Sequence, residues 1–184
     1  MDRRITKRSA PWLVLLAPRP GEQGYICEGL VPRGVKDRVV LVAVALAYSH
    51  AFWLEFCLDQ DPALSEVLEH AWTFFGGSPR SWLFETRAPS APLDRRVLEQ
   101  ARCHGAIARP LVAEDRVCWG EWALRSVPER LLRRSLLREL GLANRALRGF
   151  ALEMLERPHP QTPDRRVGEV LEQERRCLRQ AGRS

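Results

Sequence analysis

The sequence has no hydrophobic run long enough to cross a membrane. Its longest apolar stretch covers only residues 39–48, whereas a membrane-spanning helix needs about 20 apolar residues. The apolar stretch at 13–17 follows a basic start, but it is too short for the core of a signal peptide. Pro18-Arg19-Pro20, which comes next, is not a small-residue cleavage site. We therefore expect a soluble, cytoplasmic protein that makes no membrane contact.

Motifs for zinc, nucleotides and hydrolytic nucleophiles are also missing. The five cysteines are scattered, with no C-x-x-C pair and no Cys/His cluster at zinc spacing, which argues against a structural zinc site and a disulfide framework. The four histidines lie far apart in the sequence, and no P-loop, G-x-G-x-x-G or G-x-S-x-G is present. We expect no small-molecule cofactor, and a thiol nucleophile at Cys27 or Cys103 has no supporting motif.

Lysine is scarce, because 27 of the 29 basic residues are arginine. Residues 1–92 carry 10 basic and 10 acidic side chains, whereas residues 93–184 carry 19 arginines against 13 acids and so hold the whole net charge of +6. An excess of guanidinium groups in one part of a chain suits a polyanion such as nucleic acid. The alternative is a set of solvated helix faces in an arginine-rich chain, and charge alone does not separate the two.

What is present is the composition of a globular domain, with 45% hydrophobic and 28% charged residues over 184 positions. Apolar runs and turn residues predict three antiparallel strands, at 25–31, 39–48 and 51–58, of which the second is apolar throughout and buried on both faces. The later predicted elements are a helix at 61–75, a strand at 81–86, a helix at 93–104, a strand at 106–111, and helices at 119–127, 128–140, 142–156 and 167–180. This order predicts an α/β fold in which helices flank a five-stranded mixed sheet and further helices follow.

Four stretches carry motifs that are specific in their combined order and spacing. They are PGEQGYICEG at 20–29, AYSHAFWLEF at 47–56, FFGGSPR at 74–80, and a last stretch divided between RPHPQTP at 157–163 and EVLEQERR at 169–176. Together they resemble the catalytic core of the IstA-type insertion-sequence transposases, a branch of the DDE transposases and retroviral-type integrases. The resemblance covers about residues 20–180 and implies a ribonuclease-H-like fold.

The resemblance also implies an active site in which three carboxylates hold two divalent metal ions for phosphoryl transfer. The positions that match these three acids are Cys27, Glu85 and Glu121. A thiol at the first position is a soft ligand that suits magnesium poorly, and a glutamate at the second displaces the carboxylate by about 1.5 Å relative to an aspartate. Both lysines of the family's segment before the third acid are missing, and Pro128 shortens the helix that follows.

Without the resemblance, each of these three residues has a simpler structural interpretation. Cys27 is typical of a small buried hydrophobe in a strand, Glu85 of a loop carboxylate, and Glu121 of a first-turn acid favoured by the helix dipole. We therefore expect a degenerate active site that holds no metal. Magnesium is expected only if the site is active, with Glu85 and Glu121 as ligands and a replacement such as Glu28 for the missing acid.

Five arginines are the candidate DNA-binding residues: Arg125, Arg130, Arg133, Arg134 and Arg138. The last four share one stripe of the predicted helix at 128–140, and leucines occupy its other faces. Guanidinium groups in this arrangement suit phosphates without reading bases, so we expect weak, sequence-independent DNA binding. The alternative is that Glu129, Glu139 and neighbouring acids pair with these arginines.

The predicted organisation is a basic flexible arm at 1–19, a ribonuclease-H-like integrase or transposase core at 20–127 and a helical extension at 128–184. The resemblance implies helix-turn-helix modules before the core and a β-rich domain after it, so we expect a shortened form. The function that fits best is a catalytically inactive, transposase-derived protein that binds DNA or a partner of a transposition system and forms homo-oligomers. One alternative is an active metal-dependent transposase or nuclease, and another is a protein-interaction module that does not bind nucleic acid.

Overall fold

A computed structural model describes residues 18–29, 39–58, 61–84, 95–111, 119–133 and 139–180 of the chain. The strands in these ranges are β1 (Gln23–Gly29), β2 (Val39–Leu46), β3 (Phe52–Leu58), β4 (Ser81–Phe84) and β5 (Ile107–Pro110). The α-helices are α1 (Asp61–Phe75), α2 (Arg95–Cys103), α3 (Trp119–Ser126), α4 (Leu140–Leu155) and α5 (Val167–Arg175), with a short 3-10 helix at Glu129–Leu132. Of the predicted features, residues 1–17, Glu85, Arg134 and Arg138 lie outside these ranges.

The five strands form one mixed sheet in the order β3-β2-β1-β4-β5. β2 is antiparallel to both β1 and β3, whereas β4 is parallel to β1 and to β5. Every residue of β2 is buried, because helices cover both faces of the sheet and leave the strand no solvent side. The prediction that the run at 39–48 forms a strand between its two sequence neighbours in a five-stranded mixed sheet is confirmed.

Helices pack on both faces of the sheet and create two apolar layers. Ile26 and Val44 face the layer that α1 and α5 complete with Trp72, Phe75 and Leu171. The opposite layer is completed by α3 and α4, and its members include Ala43, Phe52, Ala123, Leu147 and Phe150. Trp53 and Trp72, predicted to be core residues, are both buried. Among the described residues, no helix combines the length and the apolar character that crossing a bilayer requires.

The helix predicted at 128–140 is wrong over residues 128–133, and residues 134–138 lie outside the described ranges. Pro128 is extended (φ −62°, ψ 138°), a single 3-10 turn follows at Glu129–Leu132, and Arg133 is extended again (φ −68°, ψ 137°). The turn is closed by a hydrogen bond from the Leu131 N–H to the Pro128 carbonyl, and it directs Leu131 into the layer formed by α3 and α4. Tertiary packing of the leucines therefore decides the local structure here, and the leucine spacing alone did not reveal it.

The C-terminal segment packs against the end of the sheet where β1 begins. The predicted helix at 167–180 ends earlier, at Arg175, and the chain then turns so that Arg179 pairs with Ser78 in an isolated β-bridge. Arg175 donates to the carbonyls of Phe74 and Phe75 at 3.1 and 3.0 Å. These carbonyls end α1, where a cation is favourable because the helix leaves them without partners.

Glu174 lies at the centre of these contacts, and its side chain is fully buried. Its carboxylate accepts hydrogen bonds from the Gly21 N–H at 2.9 Å and the Ser49 N–H at 3.0 Å. Burial raises the pKa of Glu174, although the hydrogen bonds from Ser49 and Gly21 act in the opposite direction. We call Gly21, Ser49, Glu174 and Arg175 the clamp, because they join the start of β1, the β2–β3 turn and the end of α1.

Candidate functional site

Cys27 lies in the middle strand of the sheet, toward the end opposite the clamp. It pairs with Ala43 of β2, and paired residues point to the same face of a sheet. Ala43 belongs to the layer that α3 and α4 cover, so the thiol points into that layer. Cys27 is 1% exposed, and the strand therefore presents its side chain to protein rather than to solvent.

The second candidate position follows directly after the described part of β4. Phe84, the last described residue of β4, pairs in parallel with Ile26 of β1, which is the residue before Cys27. Glu85 itself lies outside the described residues. The convergence of Cys27, Glu85 and Glu121 at one end of the sheet therefore stays a prediction.

Glu121 lies in the first turn of α3, a helix that packs against β1 and β2 through buried Gly120 and Ala123. Its carboxylate accepts a hydrogen bond from Arg125 Nη2 at 2.9 Å, one helical turn later. Both side chains are largely exposed, at 44% and 75%, so the pair contributes only about 0.3–0.5 kcal/mol. A candidate catalytic acid and a candidate DNA-binding arginine thus neutralise each other, and their i, i+4 spacing in the sequence already indicates such a pair.

The described donor atoms do not fit a magnesium centre. No group of three His, Cys, Asp or Glu side chains that could hold a metal ion occurs among the described residues. Cys27 offers a soft sulfur where magnesium prefers oxygen ligands, and Glu121 is engaged by Arg125. Glu28, the replacement ligand considered above, pairs with Val42 and points to the face opposite Cys27, because successive strand residues alternate.

Arg130 and Arg133, two members of the predicted helical stripe, do not lie on an α-helix, and Arg134 and Arg138 lie outside the described residues. Arg130 lies in the 3-10 turn and Arg133 directly after it, and both side chains are exposed. Neither makes a hydrogen bond or ion pair with a residue that the structure describes, which includes Glu129 and Glu139. These two guanidinium groups are therefore available to a partner.

Two histidines that are distant in the sequence meet at one tryptophan. The ring of His50 stacks on Trp119 with 3.5 Å between centroids and on His159 with 4.6 Å. His159 Nε2 donates to the Tyr48 carbonyl at 3.0 Å, and its Nδ1 accepts from the N–H and the hydroxyl of Thr162. We call His50, Trp119 and His159 the ring stack. Sequence reasoning missed it, although both histidines lie in the stretches that carry the resemblance.

The ring stack is neutral and structural. His50 is 1% exposed, and neither of its ring nitrogens has a hydrogen-bond partner in the described part of the chain. Burial, assisted by His159, lowers the pKa of His50 from 6.5 to about 3. Because Trp119 is the first residue of α3, the stack fixes the start of that helix, two residues before Glu121, on the β2–β3 turn.

Comparisons with known proteins support the fold, but they do not identify a family or a function. No protein-family model and no curated protein matches the chain. The catalytic core of HTLV-2 integrase, solved with magnesium in a dimeric form, matches with a TM-score of 0.55 and 13% identity over 83% of this chain and 95% of that one. The catalytic core of BIV integrase matches with a TM-score of 0.53 and 13% identity over 85% and 98% of the two chains.

A third match is a chain of the simian T-cell lymphotropic virus intasome, solved with the PP2A regulatory subunit B56 gamma, at a TM-score of 0.57 and 10% identity. The alignment covers 83% of this chain and 54% of the intasome chain, so this chain spans about half of that longer one. Identities this low establish fold similarity only. The chain has the ribonuclease-H-like fold of the retroviral integrase catalytic cores.

Proposed function

We propose that the chain is a catalytically inactive, integrase-core-like protein that is derived from an IstA-type transposase and binds DNA through arginines of its C-terminal half. The observation that carries the proposal is the burial of a thiol, Cys27, in the middle strand of an integrase-like sheet. A carboxylate at that strand position would have to hold the metal ions that contact the phosphate. A soft sulfur that is enclosed beneath a helical layer does not suit that task.

The remaining features of the proposal follow from the same resemblance. HTLV-2 integrase cores were solved with magnesium in dimeric and trimeric forms; for this chain we propose homo-oligomers, and magnesium only if the site is active. A cytoplasmic location and the division into an arm at 1–19, a core at 20–127 and an extension at 128–184 belong to the proposal too.

The unaltered chain is expected to show no cleavage or joining of DNA in magnesium or manganese, because the described ligands do not suit these ions. The double variant Cys27→Asp/Glu85→Asp is expected to bind Mn²⁺ weakly in calorimetry without strand transfer. Cys103→Asp, which alters an exposed thiol, is the matched control and is expected to bind no more Mn²⁺ than the unaltered chain. Metal-dependent cleavage by the unaltered chain that Glu121→Gln abolishes and Glu153→Gln does not would establish the active alternative instead.

DNA binding is supported by the exposed guanidinium groups of the C-terminal half. Arg130 and Arg133 are exposed and have no partner among the described residues. Arginine binds phosphate through two parallel hydrogen bonds. Such contacts supply affinity without sequence preference and weaken as salt increases.

The double variant Arg130→Gln/Arg133→Gln is expected to weaken low-salt DNA binding by about three- to tenfold. Its log–log salt slope should be shallower by up to about 1.8, at about 0.9 for each lost phosphate contact. Fluorescence anisotropy at several salt concentrations measures both quantities. Arg157→Gln/Arg176→Gln removes two exposed arginines elsewhere and is the control for net charge. Absence of low-salt binding by the unaltered chain would favour the protein-interaction alternative, and equal losses in the two double variants would show that Arg130 and Arg133 are not the DNA contact.

A further inference from the structure

A second cationic site lies at the end of the sheet where β1, β4 and β5 begin. It is a cleft of about 450 Å³, a size within the usual range of about 300–1,000 Å³ for small-molecule sites. Three arginines line it, Arg19, Arg80 and Arg179, together with the carboxylate of Glu22. It is separate from the candidate active site, because Cys27 lies toward the other end of β1.

The charges within this cleft are not balanced. Arg19 and Arg80 are exposed, and neither guanidinium has a hydrogen bond or ion pair with a described residue. Arg179 donates to the carbonyl of Gly105, a neutral acceptor. The Glu22 carboxylate accepts from the Arg19 backbone N–H at 2.9 Å and so serves the turn that leads into β1. Three positive groups therefore face one carboxylate that is already engaged.

Backbone hydrogen bonds fix the positions from which the arginine side chains extend into the cleft. The Arg80 N–H donates to the Gly21 carbonyl, and the Ile107 N–H donates to the Arg80 carbonyl, each at 2.9 Å. Gly105 has a positive φ of 63°, and a Cβ there would lie 2.8 Å from the Arg179 guanidinium, so the glycine permits the close approach. The fold thus brings three arginines from distant parts of the sequence to the lining of one cleft.

We propose that this cleft binds a phosphate group, the chemistry that a free nucleotide and a DNA backbone share. Guanidinium groups match phosphate oxygens in geometry and charge, and the Ser81 hydroxyl in the lining supplies a further donor. Pro20 and the exposed side chain of Ile107 offer apolar surface beside these groups, which suits the sugar or base attached to the phosphate. The inference does not depend on the proposed DNA contact of Arg130 and Arg133, because it involves none of the same residues.

The test compares the unaltered chain with Arg19→Gln/Arg80→Gln, a variant that removes no described side-chain contact. The probes are inorganic phosphate, a deoxynucleoside monophosphate and a short single-stranded oligonucleotide, each titrated at constant ionic strength set with chloride. Saturable binding of the two small probes is expected, and the double variant should weaken it by about tenfold or more, since two charge-assisted contacts are lost. Arg145→Gln/Arg148→Gln, on the exposed side of α4 and outside the lining of the cleft, is the matched control and should change small-probe affinity by less than about twofold.

The oligonucleotide separates the two sources of phosphate. A loss of oligonucleotide affinity in Arg19→Gln/Arg80→Gln comparable to the loss for the monophosphate identifies DNA, whereas a loss confined to the small probes identifies a free nucleotide or phosphate. The comparison of the small probes uses no variant at Arg130 or Arg133, so failure of the proposed DNA-binding function does not affect this test. Absence of saturable binding by the small probes, or equal losses in the variant and the α4 control, would overturn the phosphate site.

Discussion

Replacing Glu174 with alanine is expected to lower the free energy of unfolding by about 2–4 kcal/mol. The carboxylate is fully buried and accepts from the backbone N–H groups of Gly21 and Ser49, and each buried donor left without a partner costs about 1–3 kcal/mol. Relief of the desolvation of the carboxylate offsets part of this loss. Urea denaturation followed by circular dichroism measures the change as a shift in midpoint at constant slope.

The control for this substitution is Glu153→Ala, on the exposed side of α4. A surface change of this kind is expected to stay within about 0.5 kcal/mol. If the two variants lost the same stability, Glu174 would not hold the end of the sheet together, and the clamp would be an ordinary set of surface contacts.

The clamp also explains why the stretches that carry the resemblance lie where they do. Gly21, Ser49 and Glu174 belong to three different stretches, and Arg175 contacts a fourth through Phe74. These motif residues therefore perform a structural task at one end of the sheet, whereas Cys27 lies toward the other end. The residues that hold the fold together here and the candidate site therefore lie toward opposite ends of the sheet.

The sheet was predictable because its signals are local. β2 is an unbroken apolar run, and this pattern indicates a strand covered on both faces whatever the rest of the chain does. The region around Arg130 was not predictable in the same way, because leucines at helical spacing also suit one 3-10 turn between two extended residues. Only the packing of Leu131 against α3 and α4 distinguishes the two.

The candidate sites were harder to predict than the sheet, because tertiary structure brings their residues together. His50 and His159 are more than a hundred residues apart, yet their rings meet at Trp119. Arg19, Arg80 and Arg179 similarly come from three distant segments that only the sheet topology brings to one cleft. By contrast, the pairing of Glu121 with Arg125 is a local i, i+4 contact that the sequence alone indicates.

Acid is expected to destabilise the chain through the ring stack. The pKa of His50 is lowered by burial and by His159 from 6.5 to about 3 in the folded protein, so between these values the unfolded chain binds a proton that the folded chain does not. The contribution of His50 to stability is therefore fully present above pH 6.5 and is lost as the pH falls toward 3, by about 1.4 kcal/mol per pH unit. His159, whose pKa burial also lowers, acts in the same direction.

Glu174 acts in the opposite direction, because burial raises its pKa and the folded chain then takes up its proton first as the pH falls.

The variant His50→Asn separates the contribution of His50 from those of His159 and Glu174, since it removes one titrating ring and keeps the other two groups. Asparagine tolerates the left-handed backbone of position 50, where φ is +58°. The variant loses the contact with Trp119 and is expected to be less stable than the unaltered chain at neutral pH. Its plot of unfolding free energy against pH should nevertheless be shallower than that of the unaltered chain by about 1.4 kcal/mol per pH unit between about pH 6 and pH 4. Parallel plots from urea denaturation across this range would show that His50 takes up its proton equally in the folded and unfolded chain, and that the ring stack does not exclude the charge.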